Sequence, residues 1–175
     1  MDTKEWRRTL NGQTFLISTS RSLLSHAFVQ QAFGTQAMYW AKPTSDANMK
    51  TLLDNSCTLG LYKTEDGEAT KTPIGLGRVI TDYVTFAFLT DVYIVDESRR
   101  LGLGRWLINC CKELFLDMAD LRFVLLLTGS ESAQAMYEDE LAMDVLGKSE
   151  SGPTVMGVRK AKLQDQRVKS GLAGA

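Results

Sequence analysis

At 175 residues the chain suits one domain with a full core, and 44% hydrophobic with 23% charged residues is an ordinary globular balance. A formal net charge of −1 offers no basic surplus for nucleic acid or an anionic membrane surface. The opening MDTKEWRRTL carries charge with no apolar stretch behind it, which argues against a secretory signal, and no apolar run reaches the length of a membrane span.

Cys57, Cys110 and Cys111 form neither a disulfide framework nor a metal set, and the single histidine, His26, rules out a multi-histidine metal site. A reduced, intracellular, cytoplasmic protein without a metal is expected.

In chain order, QTFLIST (Gln13 to Thr19) reads as the first strand, and the polar STSRS caps a helix from about Ser22 to Phe33. GTQAMYWAKP is a loop ending in Pro43, and Thr44 to Asn55 reads as a weaker helix. CTLGLYKT is a strand, and EDGEATKTP a polar hairpin connection. IGLGRVITD and TFAFLTDVYIV are two further strands joined at Asp82-Tyr83, where Asp82 suits an Asx turn. Leu103, Trp106, Leu107, Cys110, Cys111, Leu114, Phe115 and Met118 make one apolar helical stripe, which casts the two cysteines as core. RFVLLLT follows as an apolar strand expected to be covered on both faces. Ser130 to Leu141 is a helix, and PTVMGV a last strand. The chain thus divides into a single domain over 1–158 and a polar, basic tail over 159–175, expected to be frayed. A helix between two strands implies a parallel crossover beside an antiparallel meander, so the fold is mixed α+β and not doubly wound.

The junction VYIVDESRRLGLGRWL is unusual. A strand passes into a helix through Arg99, Arg100, Gly102, Gly104 and Arg105. A helix start leaves N–H groups without partners and carries partial positive charge. Glycines let the backbone approach a ligand, and arginines add charge-assisted bonds to phosphate. A diphosphate site fits; so does a capping glycine pair with solvated arginines.

DVYIVDESRRLGLGRWL resembles the acetyl-coenzyme A loop of the GNAT N-acetyltransferase superfamily, whose pattern of Arg/Gln, two residues, Gly, one residue, Gly/Ala is met here by Arg99, Gly102 and Gly104. The resemblance runs from about Gln13 to Val158 and is strongest to the group carrying a YW pair before the second helix and a GLGRVITD…TFAFLTDVYI block. It implies the GNAT fold, a mostly antiparallel sheet with a central parallel crossover and helices on both faces. It also implies acetyl-coenzyme A as cosubstrate and an amine as second substrate, while the charge balance leads to the expectation of no nucleic-acid or membrane partner. A homodimer is compatible with the resemblance but not derivable from the residues.

By the same resemblance, Val92, Tyr93 and Ile94 offer main-chain groups to the pantetheine arm, and Arg99, Arg100, Leu101, Gly102, Leu103, Gly104 and Arg105 hold the pyrophosphate. Ser130 and Ala133 flank the pantetheine, and Tyr137 protonates the departing thiolate. Two departures stand out: Arg100 replaces a usual glycine, and Leu141-Ala142 replaces the Gly-Phe that closes the tyrosine helix.

Acetyl transfer needs a base or amine-binding carboxylate, hydrogen bonds to the carbonyl oxygen and an acid for sulfur. The N–H of Val92 or Tyr93 is a candidate oxyanion donor. Asp91, inside an apolar strand, is the acidic candidate, as base or as amine ligand; alternatively neighbouring groups satisfy it. Tyr137 is the acid candidate. His26 is a base or a pocket wall. Tyr39 and Trp40 line an acceptor pocket or anchor their loop.

The expected activity is direct N-acetyl transfer to a primary amine, most simply of a small molecule. A protein or peptide N-acetyltransferase, whose basic tail VRKAKLQDQRVK meets an acidic partner, and a silent acetyl-coenzyme A-binding module stay open.

Overall fold

The computed structural model describes residues 2–65, 70–148, 150 and 152–169. Its contacts gather into two compact units, residues 1–80 with 91–107 and residues 81–90 with 108–175.

The first unit opens with a hairpin that the sequence reading omitted. Strand β1 (Glu5–Leu10) pairs antiparallel with β2 (Gln13–Ser18), and Leu10 faces Gln13 across the Asn11-Gly12 turn. Both turn residues are left-handed, φ 49° and 78°, as a two-residue hairpin turn requires. Helix α1 (His26–Phe33) starts four residues later than expected, because Ser25 is its cap and accepts from the Phe28 N–H at 3.1 Å. Helix α2 (Asp46–Asp54) is capped by Ser45 in the same way.

Strand β3 (Cys57–Glu65) pairs antiparallel with β2 and with β4 (Thr70–Thr81), with a register shift at Leu61/Tyr62. β4 takes in Thr70–Pro73, which the sequence had suggested as connection; the rest of that hairpin, 66–69, lies outside the described residues. Strand β5 (Phe86–Ile94) and helix α3 (Leu103–Asp117) each run from one unit into the other.

Leu76 of β4 packs into the cluster formed by Phe28, Val29, Met38, Met49 and Leu53, on the α1–α2 side. A Cβ on the next residue, Gly77, would instead meet Leu107 of α3. Neighbouring strand residues point to opposite faces, so helices cover both faces of this unit, as the fold class requires.

In the second unit Asp82 closes the β4–β5 turn. Its carboxylate accepts from the N–H groups of Val84, Thr85 and Phe86 at 2.8–3.1 Å and from the Thr85 hydroxyl at 2.6 Å, which holds its pKa far below the usual carboxylate range. The expected Asx turn is therefore present. Phe86–Leu89 of β5 pair in parallel with β6 (Phe123–Thr128), as the crossover through α3 demands. β6 pairs antiparallel with β8 (Thr154–Arg159), which pairs antiparallel with β7 (Asp144–Lys148). The exposed β7 was missed in the sequence because it has no buried face to give it a pattern.

Two expectations are corrected here. β6 is not covered on both faces: Val124 and Leu126 are buried, while Leu127 on the other side is 52% exposed. An all-apolar run cannot reveal which of its faces a neighbour covers. The tail is also not frayed at its start, because Lys160–Lys169 form helix α5. The Lys160 ammonium donates to the carbonyls of Met118 and Ala119 at the end of α3, at 2.5 and 3.0 Å, where a helix carries partial negative charge. Lys162 pairs with Asp144, and Leu163 is fully buried. One apolar anchor and two lysines with partners dock a segment whose polarity suggested disorder. Among the described residues, no helix is long and apolar enough to cross a membrane.

Candidate active site

The distinctive backbone feature of β5 is Asp91. It has φ 49°, left-handed in mid-strand, and is only 5% exposed. Aspartate tolerates that region better than most residues because its short side chain can hydrogen-bond locally. The regular extended path is broken here. Gly75 of β4 then lets β5 pass closely, since a Cβ there would lie 2.7 Å from the Tyr93 carbonyl oxygen.

The Asp91 carboxylate is engaged on both oxygens. Oδ2 accepts from Arg78 Nε at 2.6 Å in an ion pair whose side chains are 13% and 5% exposed. Oδ1 accepts from Trp40 Nε1 at 3.1 Å. Removing one partner of such a buried pair typically costs about 3–5 kcal/mol, because the other charge is left uncompensated. This geometry gives Asp91 the satisfied form that the sequence left open as the alternative to a base. Its partners are an arginine and an indole.

Trp40 follows the short 3-10 turn Gln36–Met38. Its ring stands edge-on to Tyr39, with centroids 5.1 Å apart and planes at 88°, and both side chains are exposed. Tyr93 packs against Phe28 at 6.3 Å, beside the α1–α2 cluster. His26 turns elsewhere: its Nε2 accepts from Arg21 Nη2 at 2.5 Å.

After β5 the chain makes a 3-10 turn, Asp96–Ser98, and then two left-handed steps, Arg100 at φ 65° and Gly102 at φ 72°. Arg100 thus adopts a conformation that the family's usual glycine takes without strain. The Arg99 guanidinium braces its own loop, with Nε donating to the Ile94 carbonyl at 3.1 Å and Nη1 pairing with Asp96 at 3.0 Å. α3 then starts, with the Trp106 N–H reaching the Gly102 carbonyl at 3.1 Å. No atom lies within 4 Å of where a Gly102 Cβ would sit, and a Gly104 Cβ would meet only Ile94 Cδ1 at 3.7 Å. The loop therefore offers open backbone at a helix start, the arrangement that suits a phosphate.

The remaining candidates lie on helix α4 (Glu131–Leu141). Ser130 is its cap: its hydroxyl accepts from the Ala133 N–H at 3.4 Å and shares a bond with Ser132 at 2.9 Å. Tyr137 is buried, and burial, reinforced by the neighbouring Cys111 thiol, pushes its phenol up to about 12. It is therefore protonated at neutral pH and able to donate a hydrogen bond. Leu141-Ala142 does not disturb the helix end. Ala142 itself takes φ 52°, so that the Met143 N–H reaches the Tyr137 carbonyl at 3.4 Å. A left-handed alanine is strained, so Ala142→Gly should stabilise the chain by about 0.5–1 kcal/mol, visible as a higher Tm; an unchanged or lower Tm contradicts the strain.

Of the predicted residues, the structure joins Asp91, Trp40 and Tyr39 in one contact chain, places Val92, Tyr93 and Ile94 directly after the backbone irregularity, and sets Ser130, Ala133 and Tyr137 along α4. It does not join His26 to them. Sequence reasoning missed Arg78. The signal was there: one arginine inside the apolar IGLGRVIT, opposite in sign to one aspartate inside the apolar FAFLTDVYI.

The profile of the acetyltransferase (GNAT) family matches residues 23–143. A Gibberella zeae protein assigned as an acetyltransferase is 33% identical over 126 residues, which cover 65% of this chain and 71% of that protein. A Xanthomonas campestris crystal structure described as a GNAT-family acetyltransferase is 30% identical, covers 70% of this chain and 82% of its own, and superposes with a TM-score of 0.59. Spermidine N-acetyltransferase from Vibrio cholerae, solved with CoA and spermine, shares the fold at 16% identity and a TM-score of 0.61, over 93% of this chain and 98% of its own. On the family match and these relatives, the chain belongs to the acetyltransferase (GNAT) family.

Proposed function

We propose that this acetyltransferase moves an acetyl group from acetyl-coenzyme A directly to the primary amine of a small molecule. The observation that carries the reading is the loop at the head of α3: two left-handed residues, open space at Gly102 and room for a Cβ without a clash at Gly104, directly after a strand whose regular path breaks at Asp91. Acetyl-coenzyme A supplies the activated acetyl thioester. Backbone N–H groups of residues 99–105 hold its pyrophosphate, and Val92–Ile94 offer main-chain partners to the pantetheine. The N–H of Val92 or Tyr93, just after Asp91, stabilises the oxyanion.

The neutral amine attacks the carbonyl carbon, and the C–S bond breaks with its electron pair on sulfur. The surplus proton leaves the new ammonium to solvent, and Tyr137 donates to the thiolate. With a pKa of about 12, against about 8.5 for an ordinary thiol, the phenol acts chiefly by hydrogen bonding to the developing charge. Asp91 supports the site through Arg78 and Trp40 rather than by taking the proton.

A small-molecule acceptor is favoured over an acidic protein partner because two of the tail's basic residues, Lys160 and Lys162, are engaged within the fold. Cys57, Cys110 and Cys111 are buried and form no disulfide, which agrees with a reducing cytoplasm.

The test is thiol release from acetyl-coenzyme A across monoamines, polyamines, aminoglycosides and peptides. Amine-dependent release with small amines supports the reading. Release with peptides alone overturns the small-molecule part, and cofactor binding without any turnover makes the chain a silent binding module.

A further inference from the structure

We infer that Arg78, Asp91 and Trp40 form a latch that sets acceptor selectivity, and that the acceptor it favours is a monoamine with an aromatic or apolar body rather than a polyamine. The inference deepens the acetyl-transfer reading and rests on it. Two observations carry it.

Trp40 is half-exposed, at 50%, yet its ring is fixed in orientation, because Nε1 donates to a carboxylate that is itself locked by Arg78 and almost fully buried. An exposed indole with one fixed edge presents a flat apolar surface at low ordering cost. Tyr39, 67% exposed and edge-on to it, extends that surface. Trp40 is tied through Asp91 to the strand segment that the acetyl-transfer reading uses, and Tyr39 packs on Trp40.

The second observation is charge. The Asp91 carboxylate lies 2.6 Å from a guanidinium nitrogen, so the pair is close to neutral and gives an incoming ammonium little electrostatic attraction. A polyamine spreads several ammonium groups along its length and needs carboxylates at matching spacing to be preferred, whereas the Asp91 carboxylate beside Trp40 is already paired with Arg78. Recognition through ring surfaces therefore outweighs recognition through charge.

Trp40→Phe tests the latch. It keeps an aromatic ring, removes the Nε1 donor and leaves the Arg78–Asp91 pair intact, so the fold should be retained. Steady-state rates are compared with 2-phenylethylamine and with spermidine as acceptors, and acetyl-coenzyme A binding is followed separately by thermal shift. Wild type should favour 2-phenylethylamine over spermidine in kcat/KM by roughly tenfold or more, the usual worth of an apolar contact in a pocket. Trp40→Phe should raise the KM for 2-phenylethylamine by roughly tenfold, consistent with one lost charge-assisted bond, with kcat within about threefold of wild type and the thermal shift unchanged. Trp40→Ala should raise that KM further. The result resembles ground-state binding loss rather than loss of chemistry. A preference for spermidine, or a KM indifferent to both substitutions, overturns the latch and leaves acetyl transfer standing. No turnover with any amine, despite a normal thermal shift, overturns both.

Discussion

Tyr137→Phe lowers kcat at least about tenfold and leaves acetyl-coenzyme A affinity nearly unchanged. The substitution removes one hydroxyl and keeps a buried ring on α4, so the helix and its left-handed Ala142 end are preserved. Acid assistance contributes about a hundred- to ten-thousandfold when proton transfer is well matched. Here burial holds the phenol near 12, so the match to a thiolate is poor and the lower part of that range is expected. Water replaces the donor in part, which gives the tenfold floor. The measurement is kcat under conditions where chemistry limits the rate, with binding read independently. A wild-type rate assigns the donor elsewhere, with solvent or Tyr93 as the next candidates. A loss confined to KM makes Tyr137 a binding residue.

Gly104→Val abolishes most of the stabilisation that acetyl-coenzyme A confers on the folded chain. In the protein alone, a Cβ at this position meets only Ile94 Cδ1 at ordinary contact distance, 3.7 Å, and valine is a better helix residue than glycine. The variant should therefore fold with stability close to wild type. With the cofactor, the added methyls occupy the space in front of the first turn of α3. A hydrogen bond to a charged group is worth about 1.5–3 kcal/mol, so displacing the phosphate from one or two N–H groups weakens binding about a hundredfold, or about 2.7 kcal/mol. Wild type at a hundred times Kd should gain about 2.7 kcal/mol by linkage, and the variant almost nothing at the same concentration. A full gain by Gly104→Val removes the pyrophosphate from this loop.

The parts of the fold legible in the sequence were those in which a single periodicity met a single environment. Helix α3 carries an uninterrupted apolar stripe from Leu103 to Phe115, and β3 and β5 lie within about a residue of the strands read from the sequence. β1 was overlooked because Arg7 and Arg8 look like a polar leader, although Asn11-Gly12 is a strong hairpin signal. α5 was overlooked because its docking depends on Leu163 and on lysines whose carbonyl and carboxylate partners lie 18 to 42 residues away in sequence. The candidate site divides in the same way. The glycine–arginine loop is local and could be read directly. Asp91 could be singled out as a charge in an apolar strand. Its meaning could not be read, because Trp40 lies 51 positions away and Arg78 lies 13 away on another strand. The left-handed backbone of Asp91 and Ala142 was equally hidden, since neither is a glycine.

Direct acetyl transfer is the central claim, and a single-turnover mass balance tests it most directly. The purified chain is mixed with acetyl-coenzyme A and 2-phenylethylamine, quenched at intervals and analysed by mass for free coenzyme A, N-acetylated amine and the intact protein. Free coenzyme A and acetylated amine should appear together in equal amounts, with the protein mass unchanged at every time point. An acetylated protein that forms before the product, or the absence of both products while acetyl-coenzyme A is bound, contradicts the account.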